Sequence, residues 1–304
     1  MTESIGGLLP VIPTPFKGGE FDPESFHRLI EHMDGGVDGY TLLGSTGEAP
    51  SLTISERRAI AEEAVAMTPD DMKVIVGVTS TSVSDAVELA RHAEELGAAG
   101  VLCAAPFYFE NTADGMLDFM RRIDGAIGID LILYDNPAAT KTKLMAADVV
   151  EWAGQLDNLS TVKLTDHDMS KVEIWHDAGL RVIGGDDPIL FEYLAAGVDG
   201  AMLIAPAVFP AAFREAWDRL GRGDWDDAFD VLANEVLPFT HVFGIGREVA
   251  TTKALLADIG IFASGELKAP LEPVSIERVQ ILRHAFDLAT AATERRLSTA
   301  GSAA

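Results

Sequence analysis

Cysteine is almost absent: Cys103 is the only one in 304 residues. No disulfide framework can form within the chain, so a reducing, cytoplasmic compartment is expected. Long hydrophobic runs are missing as well. No window reaches the roughly 18 apolar residues that a membrane span needs. Met1 to Gly7 carries neither the basic nor the apolar region of a secretory signal. Basic residues are scarce: 23 Lys and Arg stand against 48 Asp and Glu, a formal net charge of −25. Such a surface repels nucleic acid and anionic membranes, so neither is expected as a partner. The acidic excess reads either as solvated helix faces that keep an oligomer soluble or as adaptation to salt. The seven histidines show no H-E-x-x-H or other ligand spacing, so no metal is expected. His167, in Thr165-Asp166-His167-Asp168, reads as a loop or cap residue.

Short apolar, β-branched runs alternate with amphipathic stretches. The candidate strands are Leu8–Thr14, Gly39–Gly44, Lys73–Val78, Gly100–Ala105, Asp130–Asn136, Asn158–Leu164, Arg181–Asp186 and Gly200–Pro206. Phe26, Leu29, Ile30 and Met33 fall at helical spacing, as do Met116, Phe119, Met120 and Ile123. Asp22-Pro23, Thr53-Ile54-Ser55-Glu56 and Ser82 or Ser84 are helix starts. Gly35-Gly36, Gly97, Gly179 and Gly197 sit where a left-handed cap is wanted. Eight strands, each followed by a helix, is the pattern of an α/β (β/α)8 TIM barrel. An open doubly wound sheet is the competitor, but no G-x-G-x-x-G follows the first strand. From about residue 222 the strands stop, and Asp226–Phe243, Arg247–Ile259 and Ser275–Arg296 read as helices. The expected organisation is a barrel over residues 1–221 that carries the site, and a C-terminal helical extension over 222–304. Ser298 to Ala304 are small and polar and are expected to fray.

In such a barrel the chemistry sits at the C-terminal ends of the strands. Lys163 is the outlier there, between Val162 and Leu164 in a strand that should be buried. A desolvated lysine has a lowered pKa and can act as a neutral amine that adds to carbonyls. The same residue also reads as a structural lysine paired with Glu48, Asp186 or Asp187. Tyr134 ends the fifth strand; its phenol is placed either to shuttle protons near such an amine or to sit satisfied in the core. Ser45-Thr46, between Gly44 and Gly47, offers hydroxyls and close backbone amides that suit a carboxylate, or is a plain turn. Gly184-Gly185-Asp186-Asp187-Pro188 opens a helix, with one Asp expected to cap it.

Together these strand ends resemble the dihydrodipicolinate synthase/N-acetylneuraminate lyase superfamily. Gly44-Ser45-Thr46-Gly47-Glu48 is similar to its G-[TS]-[TS]-G-E, and Leu133-Tyr134-Asp135-Asn136-Pro137 to its L-Y-N-x-P. Lys163 falls in the lysine slot. Pro13-Thr14-Pro15-Phe16, Pro106-Phe107-Tyr108 and Gly185-Asp186-Asp187 also match. The resemblance implies a (β/α)8 barrel that binds pyruvate as a Schiff base, without cofactor, commonly as a homotetramer built from tight dimers. Position by position, Lys163 resembles the imine-forming lysine and Tyr134 the acid/base phenol. Ser45 and Thr46 match the pair that holds the pyruvate carboxylate and relays protons. Tyr108 matches a tyrosine that enters the neighbouring subunit's site, and Gly185 and Met202 match backbone positions lining the pyruvate pocket.

Three places depart from the pattern. Ala139 stands where synthases place an arginine that grips a substrate carboxylate; the nearest cation is Lys141. Thr53-Ile54-Ser55-Glu56-Arg57 replaces the histidines of the lysine-feedback site. Lys163-Leu164-Thr165-Asp166 lacks the acidic residue that usually follows the lysine. The expected activity is therefore a class I aldolase or lyase. It would join or split pyruvate and an aldehyde, with a 2-oxo-3-deoxy acid as the type of substrate. 4-hydroxy-tetrahydrodipicolinate synthesis, a sugar-acid dehydratase or hydratase-aldolase, and a non-catalytic 2-oxo acid binder are the alternatives.

Overall fold

The computed structural model describes residues 5–242 and 247–301. Contacts divide the chain into two compact units: residues up to Ile12 with Asp38–Leu203, and Pro13–Val37 with Ile204 onward. The divide falls ahead of residue 221 because the eighth strand is already over at Ala201, and residues 13–37 go with the second unit.

The first unit holds eight parallel strands in a nearly closed barrel, with helices between them. They are β1 (Gly7–Leu8), β2 (Gly39–Leu42), β3 (Lys73–Gly77), β4 (Gly100–Ala104), β5 (Asp130–Asp135), β6 (Leu159–Leu164), β7 (Arg181–Gly184) and β8 (Gly200–Ala201). Hydrogen bonds join them in the order β1-β8-β7-β6-β5-β4-β3-β2. A parallel bridge from Val11 to Thr41 brings the two ends of that order together. Every residue of β2 and β4 is buried. Such strands are covered on both faces, which is why they read as continuous apolar runs. The helix starts follow their cap chemistry. Thr53 forms a capping box with Glu56, and Ser82, not Ser84, accepts from the Asp85 N–H. Thr112 does the same for Gly115.

The strands are shorter than their apolar runs, most clearly the first and the last. Pro10 and Pro13 have no N–H to give to a ladder, so beyond Leu8 pairing is reduced to single bonds such as Val11 N–H to the Leu203 carbonyl (2.9 Å). After Ala201 the chain turns into a short 3-10 helix over Ala205–Ala207, which contains Pro206.

The second unit is mostly helical. Asp22 caps the helix Pro23–Met33. Ahead of it lies a two-stranded hairpin, Phe16–Lys17 with Glu20–Phe21, that the apolar patterning does not pick out. Its Gly18-Gly19 turn was the available signal, since both glycines adopt positive φ (63° and 83°). The expected helix over 226–243 is broken into Trp225–Glu235 and Leu237–Thr240. Pro238 lacks the N–H that a continuous helix would need. Phe243 lies outside the described residues. Helices Glu248–Asp258 and Ile276–Gly301 match the two further expectations. The frayed tail does not: Ser298 to Gly301 continue the last helix. That helix is anchored near its end where Arg296 and Thr293 both reach Glu235, each at 2.6 Å. Residues 302–304, and Met1 to Ser4 at the other end, lie outside the described residues.

One close approach sets the geometry between β2 and β3. Leu43 leaves β2 with a left-handed backbone (φ 55°), and a Cβ on Gly77 would meet the Leu43 carbonyl oxygen at 2.2 Å. Gly77→Ala is expected to destabilise the fold by about 1–3 kcal/mol, read by chemical denaturation. Wild-type stability in that variant would mean the Leu43 turn yields without cost.

Candidate active site

The site is built on the C-terminal ends of β2 to β7, all within the first unit. The turn after β2 is wound tightly. Leu43 and Glu48 both take left-handed backbones (φ 55° and 59°), and the Glu48 N–H closes onto the Ser45 carbonyl at 3.1 Å. Left-handed non-glycine residues cost free energy and persist only where packing holds them. Ser45 faces a cavity; Thr46 is buried beside it but does not line that cavity.

Lys163 lies in β6, paired in register with Tyr134 on β5 and Ile183 on β7. It is 3% exposed. Its amine stands 4.3 Å from the centroid of the Tyr134 ring. Burial pulls the amine down to about 7, against the opposing pull of the Asp187 and Asp186 charges. The residues alone also left open a structural lysine paired with Glu48, Asp186 or Asp187; of these, Asp187 and Asp186 act on the amine as charges that raise it, against the larger effect of burial. Gly185 makes room for the lysine stem: a Cβ there would meet Lys163 Cε at 2.5 Å and Thr165 Cγ2 at 2.7 Å. Asp186 does not cap the following helix; its carboxylate meets His167 Nε2 at 2.9 Å.

Tyr134 is 9% exposed, and burial pushes its phenol up to about 12. Asn136 Nδ2 donates to the phenol oxygen at 2.9 Å, and Thr165 also hydrogen-bonds it. Thr165 in turn donates to the Asp135 carbonyl at 2.7 Å. The phenol is therefore held between the ends of β5 and β6.

Behind it lies a buried charge network. Lys171 Nζ donates to Asp135 (2.6 Å) and to Asp166 (2.7 Å), and Lys143 reaches Asp166 from outside at 3.3 Å. Burial alone would lower the Lys171 amine, but its two carboxylate partners hold it raised. Burial outweighs Lys171 at Asp135, whose carboxyl is raised. Asp166 is held below the usual carboxylate range: Lys171 and Lys143 outweigh its burial.

The cavity has a volume of about 180 Å³ and shares Tyr134 as a wall with the lysine. Ser45 and Ala139 line it. Met202 is fully buried, its N–H bonded to the Gly184 carbonyl at 2.8 Å, and is not a wall of this cavity. Tyr108 stands apart from it: it is 75% exposed, with a left-handed backbone (φ 87°). Asn136, Thr165 and the Lys171 network were given no role by sequence reasoning. Asn136 stood inside the quoted motif. Lys171 carried no signal, because its partner Asp135 lies 36 residues away. Among the described residues, no group of three or more His, Cys, Asp and Glu is placed to hold a metal, and no helix is long and apolar enough to cross a membrane.

A nearly closed barrel that carries a desolvated lysine amine beside a phenol offers a nucleophile for carbonyl compounds, the chemistry of a lyase. The chain belongs to the dihydrodipicolinate synthetase family, whose profile matches residues 4–288. The 4-hydroxy-tetrahydrodipicolinate synthase of Methanocaldococcus jannaschii is 30% identical over 280 residues, covering 91% of this chain and 96% of that protein. The enzyme of the same name from Rhodopseudomonas palustris is 31% identical over 289 residues, covering 94% and 97%. The crystal structure of dihydrodipicolinate synthase from Thermotoga maritima is similar with a TM-score of 0.88 at 27% identity, covering 94% of this chain and 98% of that one.

Two stability measurements test the electrostatics. Lys171→Met strands two carboxylates and is expected to cost about 3–5 kcal/mol; adding Asp135→Asn should recover part of that loss. No recovery would mean the pair is not coupled. Lys163 behaves oppositely. Its amine protonates more readily in the unfolded chain, at its ordinary 10.5, than in the fold, at about 7. The buried lysine therefore disfavours the fold most below about pH 7, and the penalty fades as pH rises toward 10.5. Lys163→Met should raise Tm by a few degrees at pH 6, with the gain shrinking by pH 10. A Tm gain that does not change with pH would contradict the desolvated amine.

Proposed function

We propose that the chain is a Schiff-base-forming pyruvate aldolase, joining or splitting pyruvate and an aldehyde, with 2-oxo-3-deoxy acids as its type of substrate. The observation that carries this reading is the buried Lys163 amine 4.3 Å from the Tyr134 ring, at the mouth of the barrel. A neutral amine adds to the C2 carbonyl of pyruvate and loses water to give an imine. The protonated imine then draws electrons from the neighbouring carbon. In cleavage, Tyr134 takes the proton of the C4 hydroxyl as the C3–C4 bond breaks. The remaining enamine is protonated at C3 and hydrolysed to pyruvate. Ser45 and Thr46 hold the carboxylate and support the proton path through Tyr134. Gly185 and Met202 supply backbone along the pyruvate. No cofactor is invoked.

The names of the relatives favour the synthase as the second reading. Ala139 weighs against it, because a methyl group cannot grip a substrate carboxylate as a bidentate arginine does. A homotetramer built from dimers fits the exposed aromatic pair Tyr108 and Phe109, 75% and 74% exposed and edge-to-face at 5.0 Å. Tyr108 would then serve a neighbouring copy's site. A cytoplasmic setting suits the single, unpaired Cys103.

Intact mass after treatment with pyruvate and borohydride is the test. Wild type should gain a pyruvyl adduct and Lys163→Ala none. Tyr134→Phe should keep the adduct yet lose turnover by about 10²–10⁴-fold. No adduct in the wild type would overturn the reading and leave a 2-oxo acid binder.

A further inference from the structure

The cavity beside Tyr134 differs in character from the lysine site it adjoins. None of its lining residues carries a charge, and Leu43, Pro50, Leu102, Ala104, Phe107 and Ala139 are among its apolar walls. Apart from the Ser45 hydroxyl and the Tyr134 phenol, which the reaction uses, its side-chain polar groups bond the wall itself. Thr140 Oγ1 donates to the Asn136 carbonyl (2.8 Å), and Thr79 Oγ1 accepts from the Ala104 N–H (2.9 Å). The Asn136 amide donates to Tyr134 and accepts from the Ala139 N–H at 3.2 Å. The surrounding cations are committed elsewhere. Arg57 donates to the Gly77 and Thr79 carbonyls at 2.8 and 3.0 Å. Lys171 and Lys143 serve Asp135 and Asp166. Lys141 is exposed and does not line the cavity. The volume, about 180 Å³, exceeds the roughly 150 Å³ of an apolar cavity that holds a benzene molecule.

We infer that this cavity receives the distal part of the aldehyde, and that the aldehyde is uncharged and apolar there: an aryl or branched alkyl group and not a carboxylate. The inference rests on the pyruvate aldolase reading and names its second substrate. With the Ser45 hydroxyl taken by the pyruvate carboxylate, a second carboxylate in the cavity would shed its hydration with no cation to replace it, while an apolar group loses nothing by leaving water. In the synthetic direction the enamine carbon of the Lys163–pyruvate adduct bonds to the aldehyde carbon. The aldehyde oxygen takes a proton by way of Tyr134 and becomes a hydroxyl. Water then releases the hydroxy-2-oxo acid and returns the lysine amine.

The test compares aldehydes matched in shape. Isocaproaldehyde differs from succinic semialdehyde only in an isopropyl group where the other has a carboxylate; benzaldehyde tests the ring. With pyruvate and the full chain, kcat/KM for isocaproaldehyde and benzaldehyde should exceed that for succinic semialdehyde by about tenfold or more. Ala139→Arg should shrink that ratio. Calorimetry on the borohydride-trapped pyruvyl enzyme gives a readout independent of turnover and of that variant's folding: benzyl alcohol should bind and benzoate should not. A trapped adduct together with equal or better use of succinic semialdehyde, or equal binding of benzoate, overturns the inference and leaves the aldolase reading intact. Failure to trap any adduct overturns both.

Discussion

The desolvation of one lysine amine is the constraint on which the site depends. Lys163 is carried into the barrel by β6 and is 3% exposed there. A charged ammonium is costly there, so the amine gives up its proton near neutral pH. Asp186 and Asp187 act from a distance and moderate the shift without cancelling it. Other features follow from giving that amine room and a neighbour. Gly185 leaves the space that a side chain would take from the lysine stem. The β5–β6 register sets Tyr134 beside Lys163 on adjacent strands, so the phenol and the amine cannot drift apart without breaking the ladder.

A second buried charge system works by the opposite rule. Lys171 is as hidden as Lys163, yet it holds its proton because Asp135 and Asp166 surround it. Lys171 is held by two carboxylates at hydrogen-bond distance, while at Lys163 burial outweighs the pull of the aspartate charges. The paired one ties the end of β5 to the loop after β6 and to the helix Ser170–Asp177. Tyr134 is adjacent to Asp135 in the chain, and Thr165 bonds to both residues. The network therefore supports the phenol from behind.

The barrel was legible because parallel strands covered on both faces leave continuous apolar runs, such as the wholly buried Gly100–Ala104. Strand ends were less legible. Proline and local turns cut β1 and β8 to two residues each, although the apolar pattern ran on. Lys163 and Tyr134 stood out as polar residues in runs that ought to be buried. Lys171 did not, since a lysine on a short helix looks ordinary until its partner is known, and that partner comes from a different strand. At Asp186 the carboxylate goes not to the helix that follows but to His167, from another loop. Local signals read caps and turns well where the partner is three residues away, as at Thr53 and Glu56. They are silent where tertiary structure supplies the partner.

The two sides of Tyr134 are chemically unlike, and this division follows from where the charges are placed. The carboxylates that act on Lys163 and Lys171 lie at or just after the ends of β5 to β7: Asp135, Asp166, Asp186 and Asp187. The ends of β2 to β4 contribute glycine, alanine, leucine and small hydroxyls to the cavity. Arg57 behind those strands donates to the Gly77 and Thr79 carbonyls, and burial lowers it to about 10. On the proposed reading, an electrostatic half that activates a carbonyl and a neutral half that takes an apolar group meet at the Tyr134 phenol, which lines the cavity and lies against the lysine amine.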